Sequence, residues 1–285
     1  MRNIGNFGFI GAGKVGTALG KYLTERGQTV VGYFSAHREN AAESARFTGS
    51  ADYGSVRELA ERSDVIFVTV PDGAIKDVWG VLNKTDIREK YICHCSGALS
   101  SRVFGGIAEL GAAALSIHPL AAVNSKWESH RYMHAVSFTV EGEEMAAAGM
   151  TAFFRSLGNP AETIEDDRKG LYHAGAVFLT NFVVALVNAG TELLSSCGPD
   201  REFIREASRQ LFFSNAENIY ANDAISALTG PVERGDAETV RNHLACLDEP
   251  LRGLYAALSK ELLRIAKVKH PSRDYGALER ELTNE

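Results

Sequence analysis

The feature that most constrains the fold is a glycine-rich turn close to the beginning of the sequence. Residues 7–10 have the apolar pattern of a short buried strand and run directly into Gly11-Ala12-Gly13-Lys14-Val15-Gly16. A helix-length stretch follows, and this strand–turn–helix context makes the G-x-G-x-x-G spacing typical of dinucleotide binding. Gly11 permits the tight turn, Gly13 lets backbone N–H groups approach a pyrophosphate, and Gly16 lets helix and strand pack closely. We therefore expect the phosphates at the positive end of this helix.

The same glycines overlap a second motif. Gly8 to Lys14 fits the G-x-x-x-x-G-K spacing of a P-loop. That motif needs a Ser or Thr hydroxyl for Mg²⁺ directly after the lysine, where this chain has Val15. Gly8 also falls inside the apolar strand, so dinucleotide binding is favoured over ATP or GTP hydrolysis.

The fold class follows from the alternation of strand and helix patterns in the first 165 residues. Near-continuous apolar runs such as Val65–Val70 are typical of strands buried on both faces of a parallel sheet. The predicted strands are 7–10, 29–34, 65–70, 91–95, 113–117 and 135–140, with helices at 13–26, 55–62 and 73–82. This alternation predicts an α/β fold with a doubly wound, Rossmann-type parallel sheet.

After about residue 165 the strand patterns end. Helical patterns cover 168–196, 201–220, 237–247 and 250–267, and the polar tail from Pro271 is expected to be ordered only in part. The sequence thus predicts a cofactor-binding domain over 1–165 and an all-helical domain for substrate and dimerisation over 166–285.

Charge and cysteine content exclude several classes of protein. The net charge is −6, from 30 Lys+Arg against 36 Asp+Glu, and no long run of either sign indicates nucleic-acid binding. Four cysteines are too few for a disulfide scaffold, and the N-terminus has no apolar leader, so we expect a cytoplasmic protein. Residues 170–190 contain no Asp, Glu, Lys or Arg and are long enough to cross a bilayer. They contain His173, Thr180, Asn181 and Asn188, however, and no second such segment exists, so a helix buried between domains or subunits is favoured over a membrane span.

The end of the second predicted strand indicates the cofactor. NAD sites usually carry an Asp or Glu there for the ribose 2′-hydroxyl. This chain reads Ser35-Ala36-His37-Arg38, with no acid before Glu39. Ser35 and Arg38 can donate to a 2′-phosphate, which favours NADP over NAD. His37 either helps or is a solvated loop residue.

Polar residues also follow the later strands, where ligands of open α/β sheets bind. Val70, Pro71 and Asp72 are expected along the cofactor between its adenosine and nicotinamide halves. The next strands end in Cys93-His94-Cys95-Ser96 and in His118-Pro119, so His94, Ser96 and His118 are expected to converge on one crevice. Cys93 and Cys95 are separated by a single residue, which is closer than the spacing of zinc-binding cysteines. Cys197 and Cys246 have no other cysteine nearby in the sequence, so no metal site is expected. His118 faces a ligand or is fixed structurally beside Pro119; both readings stay open.

The start of the helical region carries further polar side chains. Tyr172, His173 and Asn181 stand in a very apolar helical pattern, where positions 173, 177 and 180 share a face bordered by Asn181. Such groups need hydrogen-bond partners or a ligand-filled cleft. Either packing against the other domain or contact with a ligand accounts for them.

The chain resembles a bacterial family of proteins that join a Rossmann-like domain to a helical domain of unknown function. The resemblance covers nearly the whole chain and rests on Gly11–Gly16, Cys95–Leu99, Ser116–Leu120, Tyr172–Ala174, Asn181-Phe182 and Leu228–Asp236. The family looks like a branch of the 6-phosphogluconate-dehydrogenase-like superfamily, with pyrroline-5-carboxylate reductase, β-hydroxyacid dehydrogenases and imine reductases. The resemblance implies NADP and a homodimer formed through the helical domain. It also implies a Lys on the long helix with an Asn one turn later. Here His173 with Val177 stands where that pair is expected, and the nearest lysine, Lys169, precedes the apolar stretch.

These observations lead to an expected function. The leading hypothesis is an NADP-dependent oxidoreductase that transfers hydride between NADPH and a small C=O or C=N substrate in the interdomain cleft, without nucleic-acid or membrane partners. A non-catalytic NADP-binding sensor or regulatory protein is the alternative, favoured by the missing lysine, and a structural scaffold is a third reading. The expected site residues are His173 or His118 as the acid, Tyr172, Ser96 and Asn181 to orient substrate, and Arg234 to hold a substrate carboxylate.

Overall fold

The computed structural model describes residues 4–283. The chain divides into two compact units, of which the first ends at Thr180 and the second begins at Asn181. The first unit is built on a sheet of eight strands in the order β3-β2-β1-β4-β5-β6-β7-β8, in which all neighbours are parallel except the antiparallel pair β6–β7. The strands are β1 (Asn6–Ile10), β2 (Thr29–Phe34), β3 (Ala51–Asp52), β4 (Val65–Val68), β5 (Tyr91–His94), β6 (Ala113–Pro119), β7 (Phe138–Gly142) and β8 (Ala161–Thr163).

Helices cover both faces of this sheet and make up the second unit. The first unit contains α1 (Lys14–Glu25), α2 (Arg38–Thr48), α3 (Val56–Arg62), α4 (Asp72–Leu82), α5 (Glu144–Ser156) and α6 (Lys169–Leu179). The second contains α7 (Asn181–Ser196), α8 (Arg201–Asn222), α9 (Ala224–Ala227), α10 (Pro231–Arg234), α11 (Ala237–Cys246), α12 (Leu251–Lys269) and α13 (Gly276–Thr283). The predicted fold class, a doubly wound sheet followed by a helical region, is confirmed. The first unit includes α6, which follows the predicted boundary after residue 165.

The central strands are buried on both faces, as their apolar runs predict. Side chains alternate along a strand, so Phe67 on β4 joins the core formed with α1 and α5, whereas Ile66 joins the core formed with α3 and α4. Phe9 stacks between Phe67 and Tyr33, with ring centroids 5.4 and 5.2 Å away. This packing fixes the carboxyl ends of β1, β2 and β4 side by side.

The glycine turn has the geometry that close helix packing requires. Gly11 has φ +104°, a conformation that residues with a Cβ rarely adopt. A Cβ on Gly16 would lie 2.3 Å from Thr69 Oγ1 and 2.7 Å from the Gly11 carbonyl oxygen. The start of α1 therefore lies directly against the ends of β1 and β4.

Four elements of the first unit lie outside the predicted helices and strands. The helices α2 and α5 and the short edge strands β3 and β8 were not predicted. The α2 sequence is largely polar because only one side is covered, by residues such as Ala41 and Ala45. Its weak apolar pattern explains the omission.

Two expectations for the helical region are wrong. The single helix expected over 168–196 is interrupted at Thr180, whose hydroxyl donates to the Ala176 carbonyl and competes with the helical bonds. The tail from Pro271 was expected to be ordered only in part, but residues 276–283 are helical. They form α13, where Leu278 and Leu282 are buried with Tyr275 in the core of the second unit.

Among residues 4–283, one helical segment, Asp166–Ser196, is long and apolar enough by length and composition to cross a membrane, and its most apolar window is not buried within the chain.

We predict that Gly16→Ala destabilises the fold, because the added methyl group overlaps Thr69 and the Gly11 carbonyl group. The expected loss is about 1–3 kcal/mol in the free energy of unfolding, measured by urea denaturation. Gly13→Ala is the matched control, since a Cβ there meets nothing within 4 Å. Equal stability of the two variants would contradict the close packing.

Candidate active site

The N-terminus of α1 is open to an anionic ligand. Gly13 precedes the helix, provides no capping side chain, and no acidic residue follows in the first turn. Gly13 and Lys14 are exposed, while Gly11 and Ala12 are buried beneath them. The first N–H groups of a helix have no partners within the helix, and they attract negative charge. The turn thus fits a pyrophosphate, with Val15 and Gly16 in the first helical turn.

The residues expected to select the cofactor follow β2, next to this turn. The Gly11 N–H donates to the Phe34 carbonyl at 2.8 Å, which joins the turn to the end of β2. Ser35 follows directly, and Arg38 opens α2 with its side chain 81% exposed. Arg38 Nε lies 3.5 Å from Asp52 Oδ2, a surface ion pair that a phosphate can replace. Ser35 and Arg38 are thus available beside the turn.

The next residues along the sheet edge are Val70, Pro71 and Asp72. Thr69, just before them, donates its hydroxyl proton to the Gly11 carbonyl at 2.8 Å, so the end of β4 is also fixed to the turn. Pro71 caps α4 and Asp72 is its first residue. Asp72 Oδ2 accepts a hydrogen bond of 2.7 Å from Ser96 Oγ, which connects the ends of β4 and β5.

Ser96 organises the turn after β5. Its buried hydroxyl donates to Asp72 and accepts from the N–H groups of Ala98 and Leu99 at 3.2 and 3.0 Å. Its carbonyl oxygen accepts from Ser116 Oγ at 3.2 Å and from Lys169 Nζ at 3.1 Å. The proton of the hydroxyl is already used, so Ser96 acts by holding Asp72 and Lys169 in place.

Lys169 is the site residue that the sequence interpretation missed. It is the first residue of α6 and only 2% exposed, and its Nζ lies 5.5 Å from the centre of the Tyr172 ring. Burial lowers its pKa to about 8, against the opposing influence of the Glu141 carboxylate, Cys95 and Asp72. Lys169 and His173 are one helical turn apart. Lys169 to His173 has the same four-residue spacing as His173 to Val177, so a lysine stands one helical turn before His173. This spacing is the sequence signal that points to Lys169.

A second cluster lies at the ends of β6 and β7. His118 and Thr139 face each other across these strands. Tyr172 reaches both: its hydroxyl lies 2.7 Å from His118 Nδ1 and accepts from Thr139 Oγ1 at 2.9 Å. Since Thr139 donates to the Tyr172 oxygen, the Tyr172 proton is free to bond His118 Nδ1. Tyr172 and His118 thus form one hydrogen-bonded pair.

The imidazole of His173 completes this cluster. The rings of His118 and His173 meet edge to face with centroids 6.1 Å apart. A Cβ on Gly97 would lie 2.9 Å from His118 Nε2 and 2.5 Å from His173 Nδ1, so both nitrogens face the Gly97 backbone. His173 Nδ1 is buried and has no hydrogen-bond partner among residues 4–283.

Burial lowers the pKa of His118 to about 4, and the charge of Lys169 and the neighbouring His173 act in the same direction. At neutral pH this imidazole is uncharged and can accept the Tyr172 proton. At this pH the Lys169 amine is mostly in its ammonium form, so it is a group of this cluster that can donate a proton.

His94 contacts Ser96 from the buried side of the strand end. Its side chain is fully buried, accepts from the Ser96 N–H at 3.2 Å and packs against Phe104. Burial also raises the pKa of Cys95 to about 12 and that of Cys93, so both thiols stay protonated. Within the described range 4–283, no three His, Cys, Asp or Glu side chains are placed to hold a metal ion.

Two of the expected site residues belong to the second unit. Asn181 begins α7 and Arg234 ends α10, and both are exposed. Glu233, the residue before Arg234, is bonded within the second unit. Its carboxylate bonds His270 and Arg273, and its backbone carbonyl accepts from Tyr275 Oη at 2.8 Å. Part of the Leu228–Asp236 motif thus serves the folding of the second unit.

Comparisons with known families agree with these two units. Residues 3–119 match the Rossmann-like domain and residues 136–262 match a domain of unknown function, DUF2520. The chain therefore joins the two domains of the family that its sequence resembles, and that resemblance is confirmed. No curated protein has a significant sequence match to the chain.

Solved structures show the same fold. The protein TM1727 from Thermotoga maritima is 25% identical, with a TM-score of 0.72 over 92% of this chain and 99% of that one. A proposed NADP oxidoreductase from Bacteroides fragilis is 23% identical, with a TM-score of 0.72 over 91% and 98%. A V8 variant of an imine reductase from Myxococcus stipitatus, in complex with NAD+, is 20% identical, with a TM-score of 0.63 over 98% and 99%.

Proposed function

We propose that the chain is an NADP-dependent oxidoreductase that reduces a small C=O or C=N substrate. The observation that carries this proposal is the placement of two features at one edge of one sheet. The open N-terminus of α1 lies at the end of β1, and Lys169, Tyr172 and His118 lie at the ends of β5 and β6. Ligands of doubly wound sheets bind along this edge. The names of similar structures, which include an NADP oxidoreductase and an imine reductase with NAD+, support the same class.

A bound nicotinamide cofactor supplies the hydride. The chain supplies the proton and the polar environment for the substrate heteroatom. Lys169 has three N–H donors, of which one bonds Ser96, and a pKa of about 8 leaves it mostly protonated at pH 7. We assign the proton donor to Lys169 in place of His118, whose imidazole is neutral. Tyr172, held by His118 and Thr139, orients the substrate.

The choice of NADP over NAD rests on Ser35 and Arg38. Both follow β2 beside the turn, and the exposed guanidinium of Arg38 can form charge-assisted bonds to a 2′-phosphate. Asp52, on β3, pairs with Arg38 and does not follow β2 as a ribose-binding acid does. One of the similar structures is a complex with NAD+, so the choice of NADP depends on Ser35 and Arg38.

The alternative of a non-catalytic sensor loses its main support. It depended on the absence of a lysine from the polar cluster, and Lys169 lies in that cluster. A buried amine with a lowered pKa beside a tyrosine and two histidines is typical of acid–base chemistry.

The first test is cofactor binding. NADPH at about 100-fold over its Kd is expected to add about 2.7 kcal/mol to the free energy of unfolding. Arg38→Ala should weaken NADPH about tenfold to hundredfold and leave NADH unchanged, measured by calorimetry, because only the 2′-phosphate contact is lost. Arg46→Ala, on the same helix, is the matched control. Equal affinity of the chain for both coenzymes would show that the cofactor assignment is wrong.

A second test addresses Lys169. We expect the reduction rate, measured with a panel of ketones and cyclic imines, to fall above about pH 8 as Lys169 loses its proton. Lys169→Ala should reduce the rate about 10²–10⁴-fold while NADPH still binds. Lys90→Ala is the control, since this lysine bonds a backbone carbonyl elsewhere, that of Ser63. An unchanged rate in Lys169→Ala would exclude it as the donor.

We further propose that the active form is a homodimer assembled through α7 and α8. No residue of α7 is buried, and Ile204 is the buried residue of α8. The core of the second unit comes from α10 to α13 and contains no residue of these two helices. Their exposed apolar side chains include Phe182, Val184, Leu186, Val187, Leu193, Leu194, Phe203, Leu211 and Phe213. Exposed apolar helix faces of this size are stable in water only when another apolar surface covers them. The same two helices of a second copy provide such a surface.

Sedimentation velocity tests this assembly. The wild-type chain should sediment at twice its mass of 30.9 kDa. Val184→Glu and Leu211→Glu should yield monomers, because each places a charge in the interface. Val268→Glu, an exposed apolar position on α12, is the control. A monomeric wild type, or wild-type chain that sediments with lipid vesicles, would contradict the proposal.

A further inference from the structure

Glu141 is a second buried charge at this end of the sheet. It lies on β7 and is 2% exposed. Its carboxylate accepts from the Ser101 N–H at 2.8 Å, from Ser101 Oγ at 2.7 Å and from Ser100 Oγ at 3.4 Å. All of these donors are neutral. A carboxylate taken out of water is costly unless an opposite charge balances it.

Lys169 is connected to Glu141 through Ser116 and the Ser96 carbonyl. Glu141 faces Ser116 directly across the antiparallel pair β6–β7. Ser116 Oγ and Lys169 Nζ both donate to the carbonyl oxygen of Ser96. Ser116, the cross-strand partner of Glu141, and Lys169 therefore share one carbonyl acceptor, and Lys169 is also only 2% exposed.

We propose that Glu141 is a positioning residue that keeps the buried amine of Lys169 in its ammonium form within the active site. The two groups are buried opposite charges that do not form a contact ion pair. The ammonium form retains N–H donors beyond the one that bonds the Ser96 carbonyl. The consequence for turnover rests on the proposed function; the charge coupling itself does not.

The other ionisable groups around Lys169 leave this role to Glu141. Cys95 stays a neutral thiol, and the imidazoles of His94 and His118 are uncharged at neutral pH. Asp72 is exposed, so water screens its charge. Tyr172 has a raised pKa because it is buried. The remaining neighbour is His173, one turn along α6.

The direction of the effect follows from the pKa of Lys169. Burial lowers it to about 8, and the Glu141 carboxylate is the strongest of the charges that oppose this shift. Without that carboxylate the burial penalty acts with less opposition, so the pKa of Lys169 falls further. Loss of a nearby opposite charge is expected to change it by about one unit.

The test uses the full chain without cofactor or substrate. The protein is labelled with lysine carrying ¹³C at Cε, the Lys169 signal is assigned by its loss in Lys169→Arg, and its titration is followed by NMR. We expect a midpoint near pH 8 in the wild type and one about one unit lower in Glu141→Gln. Ser101→Ala is the matched control, because it removes a hydrogen bond to Glu141 but no charge, and its midpoint should stay at the wild-type value. A wild-type midpoint in Glu141→Gln, or an equal shift in Ser101→Ala, would overturn the proposal.

A second variant covers the case in which Glu141→Gln does not fold. Lys169→Met removes the opposite charge, so the double variant leaves neither charge unbalanced. If the two charges are coupled, the double variant folds and loses less stability than the sum of the single changes. A double variant that fails to fold, or losses that simply add, would overturn the coupling.

Turnover separates this inference from the proposed function. In an active enzyme, Glu141→Gln should move the alkaline fall of kcat to lower pH by the same amount as the NMR midpoint, with KM unchanged. A shifted Lys169 titration without turnover of any substrate contradicts the proposed function alone. Turnover with an unshifted titration contradicts the role of Glu141 alone.

Discussion

The hydrogen bond from Lys169 Nζ to the Ser96 carbonyl is the interaction on which the active-site arrangement depends. A primary amine that is 2% exposed is stable only where polar groups replace its water. Ser96 provides such a group because its own hydroxyl, bonded to Asp72 and to two backbone N–H groups, fixes the turn after β5. The same turn brings Gly97 against His118 and His173. One short loop thus sets the position of the amine, the carboxylate of Asp72 and both imidazoles.

The loop can hold these groups together only because the sheet brings the carboxyl ends of its strands side by side. Phe9, Phe67 and Tyr33 stack between β1, β4 and β2, and Thr69 bonds the Gly11 carbonyl. The glycine turn at the N-terminus of α1 and the Lys169 cluster therefore lie along the same edge of the sheet, at the carboxyl ends of β1 and of β5 and β6. Under the proposed function, an extended dinucleotide along this edge would reach from the α1 N-terminus toward the polar cluster.

The sequence predicts the position of the glycine turn and of the strand ends better than it predicts the contacts within the polar cluster. The turn at Gly11–Gly16 and the residues after β2 and β4 follow local rules: each strand end is marked by its own apolar run. The Tyr172–His118 bond joins residues that no local pattern connects, and the sequence suggested only that each was polar in an apolar setting. Lys169 was overlooked because a lysine at a helix start normally points to solvent. Its burial is a tertiary effect that includes the bond to the Ser96 carbonyl. The burial of His94 has the same origin, since alternation along a strand does not show which face leads to solvent.

The most direct test of the central claim is an NMR titration of the chain with NADPH. The amide signals of Ala12, Gly13, Lys14 and Val15 and the Lys169 side-chain signal are followed together. If the α1 N-terminus and the Lys169 cluster form one cofactor site, both sets shift and saturate at the same NADPH concentration. Saturable shifts confined to one set, or no shifts at all, would contradict the account.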